Sequence, residues 1–93
     1  MNNRSGISEP GVIIIDVRAA EEYAGGHLEW SINVPLHEIP ARLNELKEQN
    51  IIVCCASGIR SNKAASLLKQ NGITCRDGGS WLDLKNSLTI NQE

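Results

Sequence analysis

The sequence predicts an α/β fold in which helices cover both faces of a small parallel sheet. Its short apolar runs, such as residues 12–15, do not alternate with polar residues, which is typical of strands buried on both faces. Segments with apolar residues at helical spacing, such as residues 60–70, separate these runs and favour parallel strand order. The length of 93 residues fits one domain. We therefore expect a single domain over residues 1–93, with flexible segments at residues 1–11 and 88–93.

The first part of the chain predicts two strands around one short helix. The apolar run at residues 12–15 predicts a strand that ends at Asp16. Residues 19–24 predict a helix closed by the glycines at positions 25–26, because glycine accepts the left-handed conformation of a helix cap. Residues 31–34 predict a second short strand, which stops at the proline that follows.

The middle of the chain predicts one helix and a third strand. Ile39, Leu43 and Leu46 fall at helical spacing and predict a helix over residues 38–49. A proline stands in its first turn, where a missing backbone N–H is tolerated. The apolar residues 51–54 predict the next strand.

The last part predicts a helix, a short strand and a final helix. Residues 60–70 carry apolar residues at helical spacing, and an Asn-Gly pair at positions 71–72 closes the helix. Residues 73–75 predict a last short strand. Asp-Gly-Gly follows at residues 77–79, and a final helix is expected from about Ser80.

Composition and charge exclude several functions. The formal net charge of -2 gives no basic field for a phosphate backbone, so we expect no nucleic-acid partner. The longest fully apolar runs are far too short to span a bilayer, so we expect no membrane attachment. Three cysteines cannot all pair within one chain, and no C-x-x-C spacing indicates zinc. We expect a cytoplasmic monomer without metal, or a periplasmic one if an export signal has been removed.

One loop between a predicted strand and a predicted helix carries candidate chemistry. Adjacent Cys54 and Cys55 precede Arg60, so the run contains both a C-x5-R and a C-x4-R spacing. Backbone N–H groups of a small-residue loop converge on one point, and the positive end of the following helix is directed there. A thiol at the start of such a loop has a depressed pKa, which a nucleophilic cysteine requires. The alternative is a buried cysteine before an ordinary turn.

The apolar run continues through Cys54, so Cys55 is the first residue of the loop and the candidate nucleophile. Arg60 would add a fixed positive charge and a forked pair of donors for an anion. The C-x5-R spacing is that of cysteine phosphatases and would make Cys54 the nucleophile instead. The loop residues predicted to bind the substrate are Ala56, Ser57, Gly58, Ile59, Arg60 and Ser61.

Several motifs resemble those of the rhodanese-like sulfurtransferases. IDVR at residues 15–18, GHL at residues 26–28 and the INVP run at residues 32–35 are similar to the first half of that family. CASGIRS at residues 55–61 resembles its active-site loop, and Gly-Gly with Trp at residues 78–81 resembles its closing motif. The sequence departs from the family where Trp-Ser replaces the usual Gly-Ala before the INVP run. The resemblance implies a three-layer rhodanese-like fold, with Cys54 and Cys75 as structural thiols.

The resemblance also implies a reaction. Cys55 would take the outer sulfur of thiosulfate or a related donor, become a persulfide, and pass the sulfur to cyanide or a thiol without a cofactor. The loop side chains other than Arg60 bring no positive charge, so thiosulfate could be a poor donor. The alternatives are a persulfide sulfur carrier and a protein-binding module with little thiosulfate turnover.

Several further side chains are predicted to have structural rather than catalytic roles. Asp16 ends a strand and is expected to anchor a neighbouring loop by accepting backbone N–H bonds. Arg18 and Glu22 are four residues apart at a helix start and predict an ion pair. His27 is expected to make a structural hydrogen bond, and Trp81 to close the core near the last helix.

Overall fold

The computed structural model describes the backbone of residues 11–91 and the side chains of residues 11–87. All four predicted strands and the helices between them are present, with differences at several boundaries. In chain order the elements are β1 (Val12–Asp16), α1 (Ala20–Ala24), β2 (Ile32–Asn33), a 3₁₀ helix (Leu36–Arg42), α2 (Leu43–Leu46), β3 (Asn50–Cys55), α3 (Ile59–Gln70), β4 (Cys75–Ser80) and α4 (Trp81–Asn91).

The four strands form one parallel sheet in the order β2-β1-β3-β4, which confirms the predicted α/β class. In the register of β1 with β3, Ile13 lies opposite Ile51 and Asp16 lies opposite Cys54. The carboxyl ends of the two central strands therefore meet at one edge of the sheet. Ligands of open parallel sheets bind at this edge, where strands lead into helices.

Alternate residues of β3 enter two different cores, because successive side chains of a strand point to opposite faces. Val53 and Cys55 belong to the larger core, which contains Leu68 of α3. Cys54 belongs to the smaller core on the other face, where Trp81 of α4 packs against it. The two adjacent cysteines are thus separated by the sheet itself.

The last strand differs from its prediction. It occupies Cys75–Ser80, whereas it was expected over residues 73–75, so the Asp-Gly-Gly segment is part of the strand. A Cβ atom on Gly78 would lie 2.9 Å from Cγ2 of Ile52 and 3.0 Å from the carbonyl oxygen of Val53. Glycine at this position allows β4 to approach β3 closely, next to an irregularity in their register. The predicted bounds of this strand were wrong, because glycine is required here for the close contact between β3 and β4.

The predicted helix over residues 38–49 was also wrong in detail. The segment begins at Leu36 as a 3₁₀ helix, becomes α-helical only over Leu43–Leu46, and ends before β3 begins at Asn50. Pro40 therefore stands inside the first helical segment, where it lacks the N–H that a regular α-helix would use. Ile39 and Leu46 are buried, as their spacing predicted.

The remaining predictions concern the end of α1, the two ends of the chain and membrane attachment. Gly25 caps α1 in a right-handed rather than a left-handed conformation, so that detail of the prediction was wrong. Helix α4 continues to Asn91. The flexible tail expected over residues 88–93 stays a prediction. The flexible segment expected at the N-terminus lies almost entirely outside the described residues. Within residues 11–91, none of the helices has the length and apolar character needed to cross a membrane.

Candidate active site

The loop between β3 and α3 forms a cradle around the Cys55 thiol. Cys55 is the last residue of β3 and its side chain is fully buried, while α3 begins four residues later at Ile59. Gly58 precedes the helix with φ of 98°, a left-handed conformation that favours glycine. No side chain caps this helix end, so its first N–H groups are directed into the loop.

Two backbone N–H groups donate to the sulfur of Cys55. The nitrogen of Gly58 lies 3.0 Å from Sγ, and the nitrogen of Ser61 lies 3.2 Å from it. Burial of the thiol opposes ionisation, but hydrogen bonds from the Ser61 hydroxyl and from backbone N–H groups of Ser61, Gly58 and Ser57 lower the pKa of Cys55. This is the electrostatic environment of a reactive thiolate.

The other two thiols have the opposite environment. Burial, together with the nearby Asp16 carboxylate, raises the pKa of Cys54 to about 12. Burial also raises the pKa of Cys75, whose Sγ lies 3.5 Å from the carbonyl oxygen of Ala65. All three cysteines are free, and only Cys55 has its pKa lowered.

Arg60 is paired with an acidic residue of another helix. Its Nη1 donates to Oε1 of Glu22 at 2.7 Å, and its Nη2 donates to Oε2 at 3.0 Å. The hydrogen bond from Arg60, assisted by the backbone N–H of Ala19, lowers the pKa of Glu22 to about 2. The ion pair expected between Arg18 and Glu22 is not formed. The adjacent carboxyl ends of β1 and β3 bring α1 and α3 together, and the sequence pattern did not reveal this contact.

Arg18 instead binds Asp16. Its Nε donates to Oδ1 of Asp16 at 2.9 Å and its Nη2 donates to Oδ2 at 2.8 Å, and both side chains are buried. The backbone N–H of Arg18 also donates to Oδ1 of Asp16, which confirms the expected anchoring role of that carboxylate. Arg18 further donates to the carbonyl oxygen of Gly26 and lies over the ring of Trp81, 5.0 Å from its centroid. The segment after β1 is thereby held against α4.

A cleft of about 370 Å³ lies beside the loop and includes Arg60 in its lining. Its remaining lining residues were not predicted as part of the site and are Val17, Ala19, Pro35, Leu36 and His37. They follow β1 and β2, and their position at the carboxyl ends of two strands was the signal that could have identified them.

Two further features concern predicted roles. Nδ1 of His27 lies 2.8 Å from the carbonyl oxygen of Tyr23, and the two rings stack with centroids 3.8 Å apart, which agrees with a structural role. Over the part of the chain that the structure describes, no cluster of three or more His, Cys, Asp or Glu residues could hold a metal ion.

Comparisons with known proteins agree with this fold. A family model described as a rhodanese-like domain matches residues 3–83. A sulfurtransferase of Allochromatium vinosum is 36% identical over 62 residues, which cover 66% of this chain and 58% of the relative. YrkF of Bacillus subtilis, named as a proposed sulfur carrier protein, is 41% identical over 66 residues, covering 70% of this chain and 36% of the relative.

Among solved structures, a rhodanese with anions from E. coli superimposes with a TM-score of 0.72 and 30% identity. That match covers 77% of this chain and 89% of the E. coli chain. The chain belongs to the rhodanese family, which confirms the resemblance and the rhodanese-like α/β fold. Its matched part spans 36% to 58% of the two curated relatives described above.

Proposed function

We propose that the protein is a sulfurtransferase that carries a sulfane sulfur as a persulfide on Cys55. The observation that supports this most directly is the pair of N–H donors, from Gly58 and Ser61, on a buried sulfur whose pKa is lowered. Membership of the rhodanese family supports the same chemistry. The loop residues 56–61 then form the binding site for the transferred sulfur and its donor.

In the first half of the reaction, the Cys55 thiolate attacks the outer sulfur of a donor such as thiosulfate. The S–S bond of thiosulfate breaks, its electron pair leaves with sulfite, and a persulfide anion remains on Cys55. The N–H groups of Gly58 and Ser61 are already oriented toward an anionic sulfur, so the loop needs little reorganisation as charge moves onto the added sulfur.

In the second half, a nucleophile attacks the outer sulfur of the persulfide. Cyanide would leave as thiocyanate, and a thiolate acceptor would leave as a persulfide, while Cys55 returns as a thiolate. The same donors that stabilise the first thiolate stabilise this leaving group. The two displacements predict ping-pong kinetics and require no cofactor.

A phosphatase that uses Cys54 has less support. Cys54 lies in the smaller core with Ile14 and Leu28, on the face of the sheet opposite to Cys55. Its pKa of about 12 keeps it protonated at neutral pH. A protonated thiol buried in an apolar core is a poor nucleophile for any donor that enters through the loop.

A sulfur carrier is the second candidate. In this role Cys55 would receive sulfur from a protein persulfide and transfer it to another thiol, with little turnover of thiosulfate. The specific observation in its favour is that Glu22 binds the guanidinium of Arg60, which reduces the positive charge available to a small dianion. The relation to a proposed sulfur carrier protein supports it as well.

The three free thiols support a reducing compartment such as the cytoplasm, and the proposed partners are small sulfur donors and thiol acceptors. The test is intact-protein mass spectrometry after incubation with thiosulfate, followed by peptide mapping. One added sulfur atom on Cys55 is expected. An unmodified Cys55, under conditions in which the protein also accepts no sulfur from a persulfide donor, would exclude both candidates. Loading combined with negligible release of thiocyanate from cyanide would favour the carrier.

A further inference from the structure

We infer that Glu22 sets the charge preference of the site, so that monoanionic sulfur donors with an apolar substituent, such as thiosulfonates, are favoured over dianionic thiosulfate. This inference rests on the proposed sulfur transfer at Cys55. Glu22 does not contact the sulfur; it is a positioning residue that acts through Arg60.

The ion pair occupies the part of Arg60 that an anionic donor would use. Both terminal nitrogens of the guanidinium donate to the two carboxylate oxygens of Glu22, so the forked donor pair is already satisfied. The side chains are 36% and 39% exposed, so the pair lies at the mouth of the site and not in the core. A dianion that enters must either displace Glu22 or bind beside its negative charge.

The Glu22 carboxylate is fixed in this position from two sides. Its Oε1 accepts the backbone N–H of Ala19 at 3.0 Å, in addition to the hydrogen bond from Arg60 at 2.7 Å. Its pKa of about 2 keeps it ionised at any pH at which Cys55 forms a thiolate. The negative charge near the site is therefore permanent under working conditions.

The cleft beside the pair suits an apolar substituent. Val17, Pro35 and Leu36 supply an apolar lining, and Arg60 is the one permanently charged residue among the lining residues described. The volume of about 370 Å³ lies within the range of small-molecule sites. An apolar group would gain from desolvation here, whereas a second negative charge would lose hydration without a free cation to bind.

The probes are thiosulfate and methanethiosulfonate, in which a methyl group replaces one charged oxygen. With the second probe, the Cys55 thiolate takes the outer sulfur and methanesulfinate leaves with the electron pair of the broken S–S bond. The kcat/KM for loading is measured with both donors in the wild type and in Glu22→Gln. Glutamine keeps an oxygen that can accept the Ala19 N–H but removes the charge.

For Glu22→Gln we expect kcat/KM to rise roughly fourfold for thiosulfate and roughly twofold for methanethiosulfonate, because the repulsion scales with the charge of the donor. The change should appear in KM and should shrink at high ionic strength. Glu22→Asp keeps the negative charge and should therefore retain most of the wild-type preference for methanethiosulfonate over thiosulfate. Glu21→Gln is the matched control, since Glu21 is exposed in the same helix turn and its carboxylate has no bonding partner among the described residues. It should leave the ratio of the two donors unchanged.

The apolar lining is tested in the wild type with benzenethiosulfonate and methanethiosulfonate. The loading rate with each donor is divided by the rate at which the same donor reacts with a small free thiol, so that differences in the intrinsic reactivity of the two donors cancel. We expect the protein to favour the benzene derivative. Equal normalised rates, or an equal donor ratio in wild type, Glu22→Gln and Glu21→Gln, would overturn the inference while leaving sulfur transfer intact. Absence of persulfide on Cys55 with every donor would instead overturn the proposed function itself.

Discussion

The sulfur of Cys55 accepts a hydrogen bond from the backbone nitrogen of Ser61, the third residue of α3, at 3.2 Å. Cys55 and Ser61 lie at the two ends of the loop, so this bond joins the last residue of a strand to the first turn of a helix. The N–H groups at that helix end have no carbonyl partner within the helix. The N–H groups of the loop and the Ser61 hydroxyl therefore stabilise a negative charge on this sulfur, and under the proposed sulfur transfer the surrounding side chains would set which donor is accepted.

Replacement of each adjacent cysteine should separate chemistry from stability. Cys55→Ser should abolish persulfide formation, because a hydroxyl oxygen cannot hold the transferred sulfur, and should leave the fold intact. Cys54→Ser should retain loading but lower the free energy of unfolding by about 1–3 kcal/mol, since it places a hydroxyl in an apolar core. Intact mass after donor treatment and chemical denaturation measure the two effects. If Cys54→Ser loses sulfur loading and Cys55→Ser retains it, the alternative in which Cys54 is the nucleophile of a C-x5-R loop would be supported instead.

The pH dependence of alkylation should identify the thiolate. Hydrogen bonds from Ser61, Gly58 and Ser57 favour the charged form of Cys55 and lower its pKa, so its alkylation rate should reach half its maximum at a lower pH than that of a free cysteine. The rate is followed against pH with iodoacetamide in Cys54→Ser, and the modified residue is mapped by mass spectrometry. A half-maximum at or above that of a free cysteine would show that the loop donors do not stabilise the thiolate.

The loop was predictable because its information is local. An apolar run that ends in cysteine, a glycine at position 58 and a helical pattern after it are all contained within a few residues. The ion pair of Arg60 with Glu22 joins residues 38 positions apart, and it exists because parallel strand order brings their helices together. No spacing rule distinguishes that contact from the expected pair of Arg18 with Glu22.

Glycines account for another part of the difference between prediction and structure. Gly78 lies beyond the predicted end of the last strand, yet it is part of β4 and allows close contact with β3. At position 30, tryptophan has a φ of 72°, which lies in the region that glycine adopts easily. Sequence alone identifies special backbone positions but not which geometry each of them serves.

Arg60 should affect loading more than folding. Arg60→Ala removes the only cation of the loop and leaves Glu22 as an unpaired negative charge, so loading by thiosulfate should slow substantially. The melting temperature should change little, because the ion pair is exposed and Arg60 is not part of either core. Arg60→Lys keeps the charge but not the fork, and it should recover part of the rate. Loading kinetics and thermal unfolding of the three forms test this. If Arg60→Ala loads sulfur at the wild-type rate, Arg60 takes no part in binding the donor.

Gly78 should tolerate no side chain. In Gly78→Ala the new Cβ would lie 3.0 Å from the Val53 carbonyl oxygen, and neither backbone can move without disturbing the strand pair. We expect the free energy of unfolding to fall by about 1–3 kcal/mol. Gly25→Ala is the control, because a Cβ there meets carbonyl oxygens at 3.6 Å or more and φ is -77°. That change should stay within ~1 kcal/mol of the parent. Equal effects of the two variants would contradict the close approach of β4 to β3.

Cys54 should make the protein less stable in alkaline solution. Its pKa is raised by burial to about 12 in the folded protein, from an ordinary value of 9.0. Between these two values the unfolded chain loses the Cys54 proton while the folded chain keeps it, so stability is fully present below about pH 9 and declines as the pH rises toward about 12. The contribution of one such group is about 1.4 kcal/mol per pH unit in that window.

The measurement is the free energy of unfolding of wild type and Cys54→Ala by urea denaturation. It is made from about pH 8 to about pH 11, a range that begins below the window in which Cys54 ionises only in the unfolded chain and extends into it. Other groups titrate in this range in both proteins, so the difference between the two curves isolates Cys54. We expect the alanine variant to be less stable at pH 8, because it leaves a cavity beside Ile14 and Leu28, and to lose less stability as the pH rises. Parallel curves would mean that Cys54 ionises as readily in the folded protein as in the unfolded chain. Its protonated state would then give no reason to expect sulfur on Cys55 alone.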